Sequence, residues 1–300
     1  MSVTELGAIT VPARLSYSSL NSYAECGERW KLEKGYGLNK ATWFATVAGS
    51  AIHTITEQID MVEVGAFIGP IPTFQQMFDH LLAIEKRNDV LVKPSGKKQK
   101  TVTINGGPDK KDYDWWLEFG PLALEQWETW KQSSNWTLAV MPDGSPGVEV
   151  VLRQQMAGEN HLGFIDRVYI TPQGQAVIVD LKNGAVPTSP AQLGTYRVGL
   201  LREFGIDAQW GAYWMSKDGE LTGLKDLTMY TEEYIDSQYA QAWRGIRAGV
   251  FLPHVTGMCV GCGVKDYCRA VGGSKSHDVP VNPDIVLREA DGVASSAPSV

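Results

Sequence analysis

The chain has 300 residues, 43% of them hydrophobic and 20% charged, with a formal net charge of −7. That composition supplies a globular core for one elaborated α/β domain or two modest ones, and it speaks mildly against a general polyanion binder while leaving room for a local basic groove. No apolar run reaches the length of a membrane span, and Met1–Pro12 lacks the basic start and apolar stretch of a signal peptide, so no membrane association is expected and the cytoplasm is the expected location.

Residues 1–14 read as a flexible lead-in. In Leu15–Lys34, Ser16 or Ser18 can cap a short helix on which Tyr17, Leu20, Tyr23 and Trp30 fall near helical spacing, beside Cys26. Thr42–Val64 has Phe44, Val47, Ala51, Ile52, Ile55 and Ile59 on one helical side, with His53 four residues after Gly49. Thr73–Leu91 predicts a third helix. Lys93–Lys111 is a Gly/Pro-containing loop in which Lys93, Lys97, Lys98, Lys100, Lys110 and Lys111 face a single acid, Asp109. Such a run is ordinarily a solvated loop; its functional alternative is a flap on phosphates. Asp112–Trp136 predicts an aromatic-rich helix whose Trp115, Trp116, Phe119, Trp127 and Trp130 suit a core better than a base-stacking platform.

After Pro146 the period changes from helical to alternating. Strands are predicted at Val148–Met156, His161–Thr171 and Gln175–Leu181, joined by short Gly-containing turns. A helix over Pro190–Phe204, strands at Ala208–Met215 and Glu220–Met229, and a helix over Thr231–Gly249 follow. The Ser/Pro/Gly/Asp-rich residues 272–300 read as a disordered tail.

The chemistry gathers around AVIVDLKNG at Ala176–Gly184. Alternation points Asp180 and Lys182 to one strand face and Leu181 to the other. An isolated D-x-K is most simply a structural ion pair. Here, however, Asp166 lies on the preceding strand, His53 on an earlier helix, and Gln192 and Tyr196 one turn apart on the following helix. Facing carboxylates repel unless a cation sits between them. Hard oxygen ligands suit Mg²⁺ or Mn²⁺, and an imidazole favours Mn²⁺. Such a site suits phosphodiester hydrolysis, with Lys182 orienting water or offsetting charge on the phosphate.

Four motifs, G-x-x-x-H at Gly49–His53, GFID at Gly163–Asp166, VDLKNG at Val179–Gly184 and Q-x-x-x-Y at Gln192–Tyr196, together resemble the RecB-like branch of the PD-(D/E)XK nucleases, which includes CRISPR-associated exonucleases and phage relatives. The resemblance implies an α/β (α+β) fold with a mixed central sheet, forming a single nuclease domain over 15–271 with a helical insertion at about 65–140. It implies that His53, Asp166, Asp180 and the Leu181 carbonyl hold the metal, and that Lys182 is the catalytic lysine. Gln192 and Tyr196 would bind or position DNA, and Glu149 stands where a further acid often occurs. Three cysteines, Cys259-x-x-Cys262-x5-Cys268, accompany the distant Cys26. By ligand softness alone they suit zinc or an iron–sulfur centre. The resemblance implies a [4Fe–4S] cluster stapling the chain ends, although Gly27 replaces the proline that commonly follows the first cysteine. The function implied is a metal-dependent DNA exonuclease, acting on single-stranded or otherwise free ends in recombination, repair or phage DNA processing and leaving 5′-phosphates. The alternatives are a CRISPR-adaptation trimming nuclease and a non-catalytic DNA-binding assembly subunit. A homo-oligomer or a helicase partner is compatible with either setting, in a host cytoplasm if the protein is phage-encoded.

Overall fold

The computed structural model describes residues 7–38, 41–95 and 111–287. Strand β1 (Ala8–Val11) leads to α1 (Tyr17–Glu25) and α2 (Gly27–Trp30), which continues as a π-helical turn over Lys31–Gly35. Strand β2 (Ala41–Trp43), helices α3 (Phe44–Glu63) and α4 (Phe74–Arg87), strand β3 (Leu91–Lys93) and helix α5 (Tyr113–Ser134) come next. The main sheet uses β4 (Thr137–Leu138), β5 (Val148–Met156), β6 (Glu159–Ile170), β7 (Ala176–Lys182), β8 (Trp210–Met215), β9 (Glu220–Leu221) and β10 (Lys225–Asp226), with α6 (Ala191–Phe204) between β7 and β8. Helix α7 (Glu232–Arg247) and strand β11 (Asp284–Leu287) complete the run.

Local chemistry sets the helix starts. Ser16 caps α1 by accepting from the Ser19 N–H, Thr73 and Gln76 form a capping box on α4, and Asp112 accepts from the Trp115 N–H at α5. The β5–β6 turn places Ala157 and Gly158 at φ +55° and +78°, as a tight hairpin requires. The sheet order is β10-β8-β7-β6-β4, with β5 on β6 and β9 on β8; β7 and β8 run parallel, whereas β6–β7 is antiparallel. The fold is therefore mixed α/β, as expected. The strand predicted over Glu220–Met229 is instead two short strands, both antiparallel to β8, with Gly223 between them.

The described residues divide into two compact units, one from 7–38, 153–162 and 232–287, the other from 41–95, 111–152 and 163–231. In the second unit, Val47, Ala51, Ile52 and Ile55 of α3 pack with Phe74 and Phe78 of α4 and with Trp115, Trp116 and Phe119 of α5. Trp127, Tyr169, Val177, Val179, Leu181 and Trp214 form a further cluster on one face of the sheet. The α5 aromatics are thus core.

In the first unit, β11 pairs in parallel with β1, register Ala8 to Asp284. Val279 packs with Leu32 and Val264. This corrects the reading of 1–14 as loose and of 272–300 as disordered for their described parts. Composition reports weak local preference, but each segment gains a partner edge and an apolar contact from the other end of the chain. Lys97, Lys98, Lys100 and Lys110 lie outside the described residues, as do residues 288–300. Among the described residues no helix is long and apolar enough to cross a membrane.

Candidate metal and phosphodiester site

Asp180 comes from β7 and Asp166 from β6. The ladder between these strands runs from Ile170–Ala176 to Arg167–Val179, and one more step of the same register sets Asp166 opposite Asp180. At that step a side chain replaces the backbone bond, because the Leu181 N–H donates to Asp166 Oδ2 at 2.7 Å. Alternation does what the sequence predicts: Leu181 is buried in the apolar cluster, and Lys182 Nζ lies 2.7 Å from Asp180 Oδ2. Asp180 is 2% exposed. Burial and the neighbouring Asp166 push its carboxyl up to about 7 despite Lys182.

His53 reaches this sheet edge from α3. A side chain at Gly49 would place its Cβ 2.5 Å from Asn183 Nδ2, so glycine lets the helix approach the Asn-Gly turn. Asn183 is itself held by the Ser216 hydroxyl, and the Ser216 N–H donates to the Lys182 carbonyl. One turn further along α3, His53 Nε2 lies 2.9 Å from the Leu181 carbonyl and Nδ1 lies 3.7 Å from Asp166 Oδ2. If Nε2–H donates to the carbonyl, the Nδ1 lone pair faces a carboxylate. A cation relieves that opposition, which is the fit expected of a metal site.

Glu149 completes the group. Ligand atoms of His53, Glu149 and Asp166 all lie within 4.8 Å of one another. Glu149 sits at φ +47°, a left-handed backbone conformation that a non-glycine residue rarely holds. Its carboxyl is pushed up to about 7 by burial and by Asp166, with Arg167 opposing. The tightest triad therefore contains Glu149, for which the sequence offers no motif of its own, while Asp180 is engaged by Lys182. Gln192 Nε2 donates to Tyr196 Oη at 2.9 Å, as the one-turn spacing predicts. Burial and the charge of Asp180 raise the Tyr196 hydroxyl above its ordinary value.

Three residues escaped the sequence reading. Glu57 follows His53 by one helical turn, and its carboxyl is raised by burial while feeling Arg167, His53 and Asp166. The i, i+4 spacing was the available signal. Arg167 is fully buried, donates to the Asp166 carbonyl at 2.6 Å and lies 3.6 Å from Glu149. Its counter-ion is Asp60, which has no exposure and also accepts from Trp127 Nε1 and Lys131 Nζ. Nothing in the sequence pairs residues 60 and 167.

In the absence of a cation, Glu149 and Asp180 hold protons near neutrality, so binding a metal must displace them. Affinity for Mn²⁺ should fall about fivefold per displaced proton between pH 7 and pH 6. Both groups have folded values above their unfolded ones, so their protonation favours the fold, and that contribution is lost as pH rises through about 7. Metal-free protein should therefore melt higher at pH 6 than at pH 8, and saturating Mn²⁺ should narrow or reverse the order. Scanning calorimetry checks this; a metal-free melt that climbs from pH 6 to pH 8 would contradict it.

In the first unit, Cys26, Cys259, Cys262 and Cys268 are unbridged, half-buried, and line one cavity. Cys26 Sγ accepts from the Arg29 and His254 N–H groups, and Cys259 Sγ from the Thr256 N–H. Gly27 packs so closely on Phe251 and Leu252 that its Cβ would lie 3.0 Å from both backbones, which brings Cys26 to the C-terminal segment.

The sequence profile of the PD-(D/E)XK nuclease superfamily matches residues 14–269. The Gene 69 protein of Mycobacterium phage D29 is 27% identical over 267 residues, covering 82% of this chain and 91% of that protein. The Gene 69 protein of Mycobacterium phage L5 is 25% identical over 272 residues, covering 79% and 89%. Among solved structures, SSO0001 matches 81% of this chain and 94% of its own at 11% identity and a TM-score of 0.32. With the mixed sheet, the D-x-K strand and a matched span that takes in every one of these side chains, the chain belongs to the PD-(D/E)XK nuclease superfamily, whose members are metal-dependent nucleases.

Proposed function

We propose that this protein is a divalent-metal-dependent DNA exonuclease acting on single-stranded ends in phage DNA processing, recombination or repair. The observation that carries the reading is the convergence of His53, Glu149 and Asp166 beside the Asp180–Lys182 pair at one sheet edge. The residues that would hold Mg²⁺ or Mn²⁺ are His53, Asp166, Asp180 and the Leu181 carbonyl, with Glu149 as a further carboxylate. The bound cation would acidify a water and polarise a phosphodiester oxygen. Lys182 orients the attacking water and balances charge on the phosphate as the P–O3′ bond breaks, leaving a 5′-phosphate. Gln192 and Tyr196 steady the strand. A binding-only subunit has no need of this costly set of crowded carboxylates, and the two mycobacteriophage relatives favour a phage setting over CRISPR adaptation. End-labelled single strands should be degraded with Mn²⁺ while a closed circle of the same sequence survives. Equal loss of the circle would replace the exonuclease with an endonuclease.

We further propose that the four cysteines hold a [4Fe–4S] cluster. The four thiols line one cavity of the first unit, and the backbone N–H donors to Cys26 and Cys259 suit the charge of a thiolate-held cluster. Anaerobically purified protein should be brown, with a broad visible shoulder that disappears in Cys262→Ser. A colourless, zinc-containing preparation would overturn the cluster.

A further inference from the structure

Strands β7 and β8 end together at one edge of the main sheet. Met215 of β8 is in register with Lys182 of β7; the neighbouring β6 starts at Glu159 and pairs with β7 over Arg167–Ile170, and Phe164 lies on the stretch of β6 beyond that ladder. Phe164 shares its strand face with Asp166, two residues on, so its ring lies one pleat repeat, roughly 7 Å, from the carboxylate position. It is 45% exposed on a strand where residues 165–169 are all buried. On the other flank, Lys217 follows β8 directly after Ser216, whose N–H is bonded to the Lys182 carbonyl. Lys111 lies with its ammonium 4.7 Å from the Trp115 ring centre. Burial and the charge of Lys217 both depress its pKa. Asp218 pairs with Lys217 Nζ at 3.6 Å, and its half-exposed carboxylate leaves that pair weakened by solvent screening.

Single exposed apolar residues and surface lysines are common and usually mean nothing. Here Phe164 stands two residues before Asp166, and Lys217 two residues after Met215, the register partner of Lys182. We propose that a single nucleic-acid strand crosses this edge from β6 to β8, one base stacked on Phe164 and the flanking phosphates held by Lys217 and Lys111, with Lys182 facing the phosphate between them. A π face and ammonium groups that contact phosphate without reading base edges recognise a flexible unpaired strand of any sequence, because every base can stack. A duplex keeps its bases inside its own stack and offers Phe164 none. This rests on the nuclease reading and deepens it by naming the side chains that hold the unpaired strand.

The test separates binding from cleavage. Full-length protein carrying Asp180→Asn, without added metal, is titrated with an oligonucleotide containing 2-aminopurine, whose emission falls when it stacks. Phe164→Ala and Phe164→Leu should each weaken single-strand binding about tenfold and abolish the quenching, since base–aromatic stacking is worth about 1–3 kcal/mol. The leucine keeps the bulk without the π face. Lys217→Gln and Lys111→Gln should each flatten the salt dependence of log K by about 0.7 for every phosphate that is no longer neutralised. In otherwise unaltered protein with Mn²⁺, the same changes should appear mainly in KM. Undiminished affinity in Phe164→Ala, or an unaltered salt slope in the double lysine variant, overturns the track. If binding follows these expectations while Mn²⁺-loaded protein cleaves no DNA, the track stands and the nuclease reading falls.

Discussion

Replacing Asp180 with asparagine should lower DNA hydrolysis by at least about a thousandfold, in the range seen when a preorganised electrostatic contact to the reacting phosphate is removed. Two effects combine. Asp180 is one of the proposed cation ligands, and its contact with Lys182 Nζ at 2.7 Å fixes the ammonium where the water and phosphate must meet. Asparagine keeps the shape but loses both the charge for the cation and the attraction for the lysine. The same substitution should stabilise metal-free protein at pH 8, because it removes a buried carboxyl whose ionisation is opposed by burial and by Asp166. Activity down and metal-free melting temperature up is a combination that simple misfolding cannot produce. Hydrolysis in Asp180→Asn within tenfold of the unaltered protein would remove the D-x-K strand from the mechanism.

The largest effect on stability should come from Asp60→Ala. Asp60 has no exposure and accepts from Arg167, from Trp127 Nε1 at 3.2 Å and from Lys131 Nζ at 2.6 Å. Removing it leaves the buried guanidinium of Arg167 with only the Glu149 carboxyl, 3.6 Å away, to balance it. Breaking a buried ion pair from one side costs about 3–5 kcal/mol, on the order of 10 °C in melting temperature for a unit of this size. Lys131→Met should cost much less, since Arg167 keeps its carboxylate and Lys131 also has the exposed Glu63. Activity should fall in Asp60→Ala beyond what the melt explains, because Arg167 also donates to the Asp166 carbonyl and lies 3.6 Å from Glu149. Thermal denaturation alongside a nuclease assay at about 15 °C, well below any such shifted melt, reads both. A melting temperature within about 2 °C of the unaltered protein would mean that water reaches Arg167 and that Asp60 does not offset its burial.

Most of the fold was legible because its signals are local. Apolar periodicity marked α3, α5 and β5 to β7, and Ser16, Thr73 and Asp112 announced helix starts through their own hydroxyl or carboxylate oxygens. The facing of Asp180, Lys182 and Leu181 followed from strand alternation alone, and the Gln192–Tyr196 bond from helical spacing. The short pairing of β1 with β11 was hidden because neither four-residue segment has a pattern of its own; each is a strand only in the presence of the other.

Sequence by itself determined the kinds of chemistry available: a D-x-K strand, a helical histidine one turn from a glycine, and four thiols in a chain of globular composition. Tertiary structure alone decided which of those groups meet. It set Glu149 in the triad through a left-handed backbone, buried Arg167 against Asp60, and brought His53 to the Leu181 carbonyl. Electrostatic energy depends on distance and on how much water is excluded, and residues far apart in the chain acquire both only when the sheet and its helices close around them.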